Sequence, residues 1–209
     1  MRNYGMVTPK RKRKPAQRGE PLGKSDIQNL LKDRCAIRPN AIWAGDFTYL
    51  SFHHSTLYLA TVIDLYTREV VGWTIRNRHD TALVIAALEE ACADRNLPQL
   101  FHSDRGSEYD SAAVRDWLTT HHIEISQSAK GSPWQNGHQE SFFRTFKKEF
   151  STGQFYFTVD EFTEAIANYI RYYNTARIHS RLKMPPRSFY EQCQRGPRRS
   201  NDLRGAREL

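Results

Sequence analysis

Three β-branched and aromatic runs lie so close together in the first half of the chain that only hairpins can join them. The runs are 42–52, 57–65 and 69–76, separated by 53–56 and 66–68. A parallel crossover needs a dozen residues or more, so gaps this short dictate an antiparallel meander. The pattern then changes period. Leu83, Val84, Ala87, Leu88 and Ala91 recur at helical spacing and predict a helix over 81–95. A short strand is predicted at 99–103, a helix at 111–120 with Ser111 as its N-cap, and a brief strand at 124–126. A glycine-containing loop, 130–137, leads into a helix over 139–150. A last helix over 159–176 carries the stripe Val159, Phe162, Ile166, Tyr169, Ile170 and Tyr173.

Three antiparallel strands, then helix, strand, helix, strand and further helices, is the order of a ribonuclease-H-like α/β fold. The expected architecture is a five-stranded mixed sheet flanked by helices, with basic tails. The core is expected over 38–190, between a basic tail or linker at 1–37, which contains Lys10-Arg11-Lys12-Arg13-Lys14, and a basic tail at 191–209. Lysine and arginine number 31 against 23 acids, a formal charge of +8. Such a surplus directs attention to polyanions, nucleic acid above all. Cys35, Cys92 and Cys193 stand too far apart for a zinc site, and their odd number gives no disulfide framework. No apolar run approaches the roughly 18 residues of a membrane span, and no leader is visible. The expected setting is cytoplasmic, with no membrane partner.

Fold alone does not fix chemistry; the carboxylates must. Asp46 sits inside the first strand, in Trp43-Ala-Gly-Asp-Phe-Thr-Tyr, where a charge among aromatics is costly unless compensated. Asp104 ends the fourth strand, in His102-Ser-Asp-Arg-Gly-Ser, at the strand end where α/β sheets place ligands. Glu140 opens a helix after the loop Gly131-Ser-Pro-Trp-Gln-Asn-Gly. Singly, these read as an edge or cap aspartate, a turn aspartate and a helix N-terminal acid. Strands one and four are neighbours in this fold, so together the three can converge. Phosphodiester chemistry needs an activated oxygen nucleophile and a stabilised leaving oxygen, which two Mg²⁺ ions about 4 Å apart can provide. Mg²⁺ takes hard oxygen donors and keeps waters, so three carboxylates suffice. In this scheme Asp46 is shared by both ions, Asp104 completes one site and Glu140 the other. Without metal the carboxylates should raise one another's pKa.

Four segments resemble the retroviral-integrase-like DDE transposases of bacterial insertion sequences, especially the insertion-sequence-three family. They are WAGDFTYL (43–50), FHSDRGSEY (101–109), KGSPWQNGHQESFFRTFKKE (130–149) and YYNTARIHSRL (172–182). Thirty-five residues, 105–139, lie between Asp104 and Glu140, the D-D-35-E spacing of that family. The resemblance spans roughly 38–190. It implies that Asp46, Asp104 and Glu140 are catalytic and bind Mg²⁺ or Mn²⁺. It also implies cleavage at element ends and transfer of a 3′-hydroxyl into DNA, by a homo-oligomer in a bacterial, nucleoid-associated setting. Family members carry an N-terminal helix-turn-helix region that this sequence lacks for the most part. A fragment, a truncated copy and reliance on a separate DNA-recognition subunit all fit that departure. Two readings stay beside the main one: a ribonuclease-H-like nuclease that only hydrolyses, and a DNA-binding regulator without turnover.

At 100° per residue, Glu140, Arg144, Lys147 and Lys148 share one helix face, and Phe142, Phe143, Phe146 and Phe150 fill another. The phenylalanines are expected in the core. Arg144, Lys147 and Lys148, with Lys130, Trp134 and Asn136 of the loop, are the candidate DNA contacts. His102 is expected to pack on the face that Asp104 shares, and Asp64 to be a strand-end aspartate before a turn.

Overall fold

The computed structural model describes residues 27–129, 132–150 and 155–195. The meander forms as its gaps dictate: β1 (Ile42–Phe52), β2 (Ser55–Asp64) and β3 (Val70–Arg76) are joined antiparallel. The first hairpin turn is tighter than expected. Only His53 and His54 lie outside the strands, and His53 takes a left-handed φ of 48°, as two-residue turns with the sheet's twist require. Helix α1 (Thr81–Ala93) carries the chain to β4 (Leu100–Ser103), which pairs parallel with β1. Helix α2 (Ala112–Thr120), capped by the Ser111 side chain, returns it to β5 (Glu124–Gln127), parallel with β4. The sheet order is β3-β2-β1-β4-β5, mixed and five-stranded as expected. Helices α3 (Gly137–Phe150) and α4 (Val159–Thr175) follow. Thr158 and Glu161 close a capping box at the start of α4.

Both faces of the sheet are covered, which explains why β2 reads as an almost unbroken apolar run. Its Ala60 and Val62 pack with Trp43, Phe101 and the apolar stripes of α1 and α2. Its Leu57, Leu59 and Ile63 pack with Leu50 and with Phe142, Phe143, Phe146, Phe162, Ile166 and Ile170 of α3 and α4. The phenylalanines of α3 are thus core, as expected.

The packed chain extends past the expected core at both ends. From Ile27 it lies along β5: Gln127 N–H donates to Gln28 O, Leu30 N–H donates to the Ser126 hydroxyl, and Leu30, Leu31 and Ala36 join a third apolar cluster. Beyond α4, a fifth helix, α5 (Pro186–Arg195), runs past residue 190. It is held by ions and by Phe189, whose ring centroid lies 5.5 Å from that of Tyr66. Arg187 Nε lies 2.6 Å from Glu69, whose side chain is fully buried and also paired with Arg95. The Arg95 guanidinium in turn lies 3.6 Å from the Tyr190 ring centroid. Residues 10–14 lie outside the described residues. Among the described residues no helix is long and apolar enough to cross a membrane.

Candidate active site

Strand register brings the two aspartates together. Ala44 pairs with His102 in the parallel β1–β4 ladder, so two residues further on Asp46 stands beside Asp104, one residue past the end of β4. Side chains alternate along a strand. Asp46 therefore shares a face with Leu50, which packs under α3, while Gly45 and Phe47 look toward α1 and α2. The glycine is required there: a Cβ at Gly45 would sit 2.4 Å from the Phe101 ring and 3.2 Å from Tyr109. Those two rings form the floor behind Asp46.

Glu140 is brought to the same face by neutral amides. Gln139, fully buried, donates from Nε2 to Ala44 O (2.6 Å) and Thr61 O (3.1 Å) and accepts from the Thr61 hydroxyl (2.9 Å). Thr61 is the cross-strand partner of Asp46. Asn136 donates from Nδ2 to Gly45 O at 3.3 Å. The start of α3 is thus fastened to the β1 backbone just before Asp46 and to its cross-strand partner Thr61. Glu140 itself is exposed, next to this anchor.

The electrostatics are those of crowded acids. The Asp46 carboxyl is pushed up to about 7, first by burial, then by Asp104, with Glu140 adding to the rise and a hydrogen bond from Phe47 N–H (2.8 Å) opposing it. Asp104 is also raised, by burial first; Gly106 N–H, 3.0 Å from its Oδ1, opposes this and the Glu108 charge reinforces it. Glu108 goes the other way. Burial opposes its ionisation, but hydrogen bonds from His79 (2.6 Å) and Ser107 (3.0 Å) outweigh that and lower it. Tyr109, buried beneath all three acids, is held well above its ordinary value by burial and then by Asp46, Asp104 and Glu108.

Asp46 and Asp104 are therefore adjacent, and Glu140 is close enough to act on Asp46. Among the described residues no three His, Cys, Asp or Glu side chains close to ligating distance, so full convergence of the triad is not seen. The donor set is nevertheless the one hard divalent cations take: carboxylate oxygens only, at a place where positive charge would relieve a raised pKa.

The other sequence candidates divide. Arg144, Lys147 and Lys148 are exposed on α3, with the Lys147 ammonium 4.6 Å from the Tyr49 ring centroid. Asn136 is corrected: it is buried and its amide is committed to Gly45 O, so it positions α3 rather than facing solvent. Lys130 and the side chain of Trp134 lie outside the described residues. His102 is packed, its Nδ1 and Nε2 hydrogen-bonded to the Ser126 and Ser128 hydroxyls. Asp64 accepts backbone N–H bonds from Asn40, Tyr66 and Thr67 as a strand-end aspartate. Gln139 was missed. Its signal was a polar residue three and seven positions before Phe142 and Phe146, on their apolar stripe.

An integrase core domain model matches residues 36–133, and a second matches residues 121–186. The transposase for insertion sequence element IS904 of Lactococcus lactis is 36% identical over 170 residues, covering 79% of this chain and 66% of that protein. Transposase InsF for insertion sequence IS3A of Escherichia coli is 40% identical over 157 residues, covering 73% of this chain and 54% of that protein. The chain thus spans about half to two thirds of the relatives it matches. A simian T-cell lymphotropic virus intasome shares its fold with a TM-score of 0.64 at 18% identity, over 86% of this chain and 62% of that one. The HTLV-2 integrase catalytic core domain in complex with magnesium does so with a TM-score of 0.56 at 17% identity, over 75% and 99%. These likenesses identify the sheet and its helices as ribonuclease-H-like. Two tandem family matches and relatives of this identity lead to one assignment: the chain belongs to the integrase core domain family, as a DDE transposase core of the insertion-sequence-three group.

Proposed function

We propose that this chain cleaves a DNA strand at the end of an insertion sequence and transfers the resulting 3′-hydroxyl into target DNA. Asp46, Asp104 and Glu140 are the residues that would hold two divalent cations, Mg²⁺ or Mn²⁺. One observation carries the reading: strand pairing sets Asp46 beside Asp104, and the helix bearing Glu140 is bonded to the β1 backbone just before Asp46. When bound, such cations supply Lewis-acid activation of the attacking oxygen and neutralisation of the leaving one. The chain's own part is placement. Gln139 and Asn136 hold α3, Gly106 N–H orients the Asp104 carboxylate, and the Phe101 and Tyr109 rings keep water from the back of Asp46. Arg144, Lys147 and Lys148 would hold strand phosphates along α3, joined by Lys130 and Trp134 of the preceding loop.

Double-stranded element ends and target DNA are the substrates in this reading. A homo-oligomer is its working form, a separate DNA-recognition subunit is compatible with it, and its setting is the bacterial nucleoid. The test is joining of a labelled element-end duplex to a target duplex in Mg²⁺. Asp46→Asn, Asp104→Asn and Glu140→Gln should each reduce joining by at least a hundredfold while the fold is kept. Cleavage by the wild type with no joined product would favour the hydrolytic reading, and joining by any variant at the wild-type rate would remove that residue from the triad.

A further inference from the structure

Helix α3 has a second flank. Turned away from its buried stripe, His138, Ser141 and Thr145 face a cavity of about 320 Å³. Its far wall is Arg68, in the turn between β2 and β3, and the segment after α4 that carries Arg177, His179 and Arg181. Among the described residues no acidic side chain lines it. Arg177 is already committed, donating from Nε and Nη2 to the Glu149 carboxylate at 2.8–3.0 Å. Arg68 is not accounted for in this way. Its residue is only 9% exposed, and its Nη1 has no hydrogen-bond partner among the described residues. Asp64, which attracts it from behind, spends its carboxylate on three backbone N–H groups. The Nδ1 of His179 is likewise buried and unpartnered among the described residues.

Buried donors left unmade are costly, and proteins keep them where a ligand completes them. Here the cost is compounded by like charge. Burial and then Arg181 hold the Arg68 guanidinium below its ordinary value. Two guanidiniums, two imidazoles and the hydroxyls of Ser141 and Thr145 line this cavity, with no carboxylate among them from the described residues. That is the chemistry of a receptor for a tetrahedral oxyanion. Its place on α3 says which one. Ser141 is the next residue after Glu140, and Arg144 and Lys148 follow it at helical spacing, so the exposed basic face and the cavity are adjacent strips of one helix.

We propose that Arg68, His138, His179 and Arg181 form a receptor for one backbone phosphate of the DNA strand held at the candidate active site. The inference rests on the strand-transfer reading for the identity of that strand, and its test is separable. Binding of a fluorescent duplex to the full chain is measured against KCl for wild type, Arg68→Gln, Arg181→Gln and the double variant, with Arg34→Gln as a charge-matched control. If one phosphate is shared, each single variant weakens binding several-fold. Each also makes the slope of log affinity against log salt shallower by about 0.9, and the double variant does no more. Arg34→Gln leaves the slope unchanged. Histidine ¹⁵N signals of His138 and His179 should move on adding the duplex, and at higher concentration on adding inorganic phosphate, and should stop moving in Arg68→Gln.

The melting temperature of DNA-free Arg68→Gln should equal or exceed the wild type, since an unpaired buried charge is removed. If that variant fails to fold, the exposed Arg181 decides. Wild-type slopes in the folded variants overturn the proposal. So does a response of the histidines to inorganic phosphate without any change in the DNA slope, which would mark a small-anion site only. A wild type that binds DNA through this pocket yet joins none in Mg²⁺ would instead overturn the strand-transfer reading and leave the pocket standing.

Discussion

The raised Asp46 carboxyl makes a stability prediction that no ordinary surface aspartate would. Its pKa is about 7 in the folded chain against 3.8 for an ordinary aspartate, because burial and the Asp104 and Glu140 charges disfavour ionisation. The folded state therefore binds more protons than the unfolded one between these two values. Stability then falls as pH rises through that window and levels off above about 7. The window is about three pH units wide, so the full cost of ionising Asp46 is at most about 4 kcal/mol at 1.36 kcal/mol per unit. Solvent reaching a carboxyl that is not fully buried reduces this to about 2 kcal/mol. Asp46→Asn removes the ionisation and should be more stable than wild type at pH 8 in EDTA, by about 2 kcal/mol, or roughly 4–8 °C in melting temperature for a chain of this size. The two should converge as pH approaches 4. Urea melts at pH 4.5, 6, 7 and 8 measure the difference. Adding Mg²⁺ at pH 8 should stabilise wild type and not the variant, because only the carboxylate profits from the cation. A stability difference between wild type and Asp46→Asn that stays constant from pH 5 to 8 would mean an Asp46 already ionised at pH 5, and the electrostatic picture of the site would be wrong.

Three further outcomes follow from the packing. Gln139→Met keeps volume but removes three buried hydrogen bonds, about 3 kcal/mol at roughly 1 kcal/mol each. If Gln139 positions Glu140, the Mg²⁺ concentration for half-maximal joining also rises; a melting shift with an unchanged Mg²⁺ midpoint reduces it to a structural residue. Gly45→Ala forces a methyl into Phe101 and should cost about 1–3 kcal/mol by chemical denaturation, with wild-type stability ruling out the tight floor behind Asp46. Glu69→Met should cost about 3–5 kcal/mol by stranding buried Arg95, whereas Glu69→Met with Arg95→Met should cost less than the single change; additive melts would show that the pair is not coupled.

The elements that define the sheet were legible because local and global signals agree there. β-branched runs, short turns and the Ser111 cap each dictate the geometry that packing also wants. The adjacency of Asp46 and Asp104 was legible too, since it follows from strand order and parity alone. Helix α5 was not. It is rich in Arg, Gln and Glu and owes its place to Arg187 on Glu69 and Tyr190 on Arg95, partners more than 90 residues away in sequence that no helical periodicity reveals. Asn136 misled for a related reason. A polar residue in a loop beside a candidate site reads as a ligand contact, and only the approach of β1 turns it into a backbone clamp. Arg68 gave no signal at all, because its isolation is a property of the space around it.

These placements share a physical logic. Neutral amides fasten α3 and α4 to the sheet: Gln139 and Asn136 on β1 and β2, and Asn174, which both donates to Val70 O and accepts from Val70 N–H on β3. An arginine or lysine at the position of Gln139 would fasten the helix equally well and would also neutralise Asp46, lowering its pKa and competing with any cation drawn to it. An amide provides the directional bonds without the charge. The basic residues are set apart instead, on the exposed strip of α3 and in the cavity on its other flank, where they can attract phosphates without discharging the carboxylates. A strand lying over that helix would meet cations at its phosphates and carboxylates at a single bond, which is the segregation a cation-dependent phosphodiester chemistry demands.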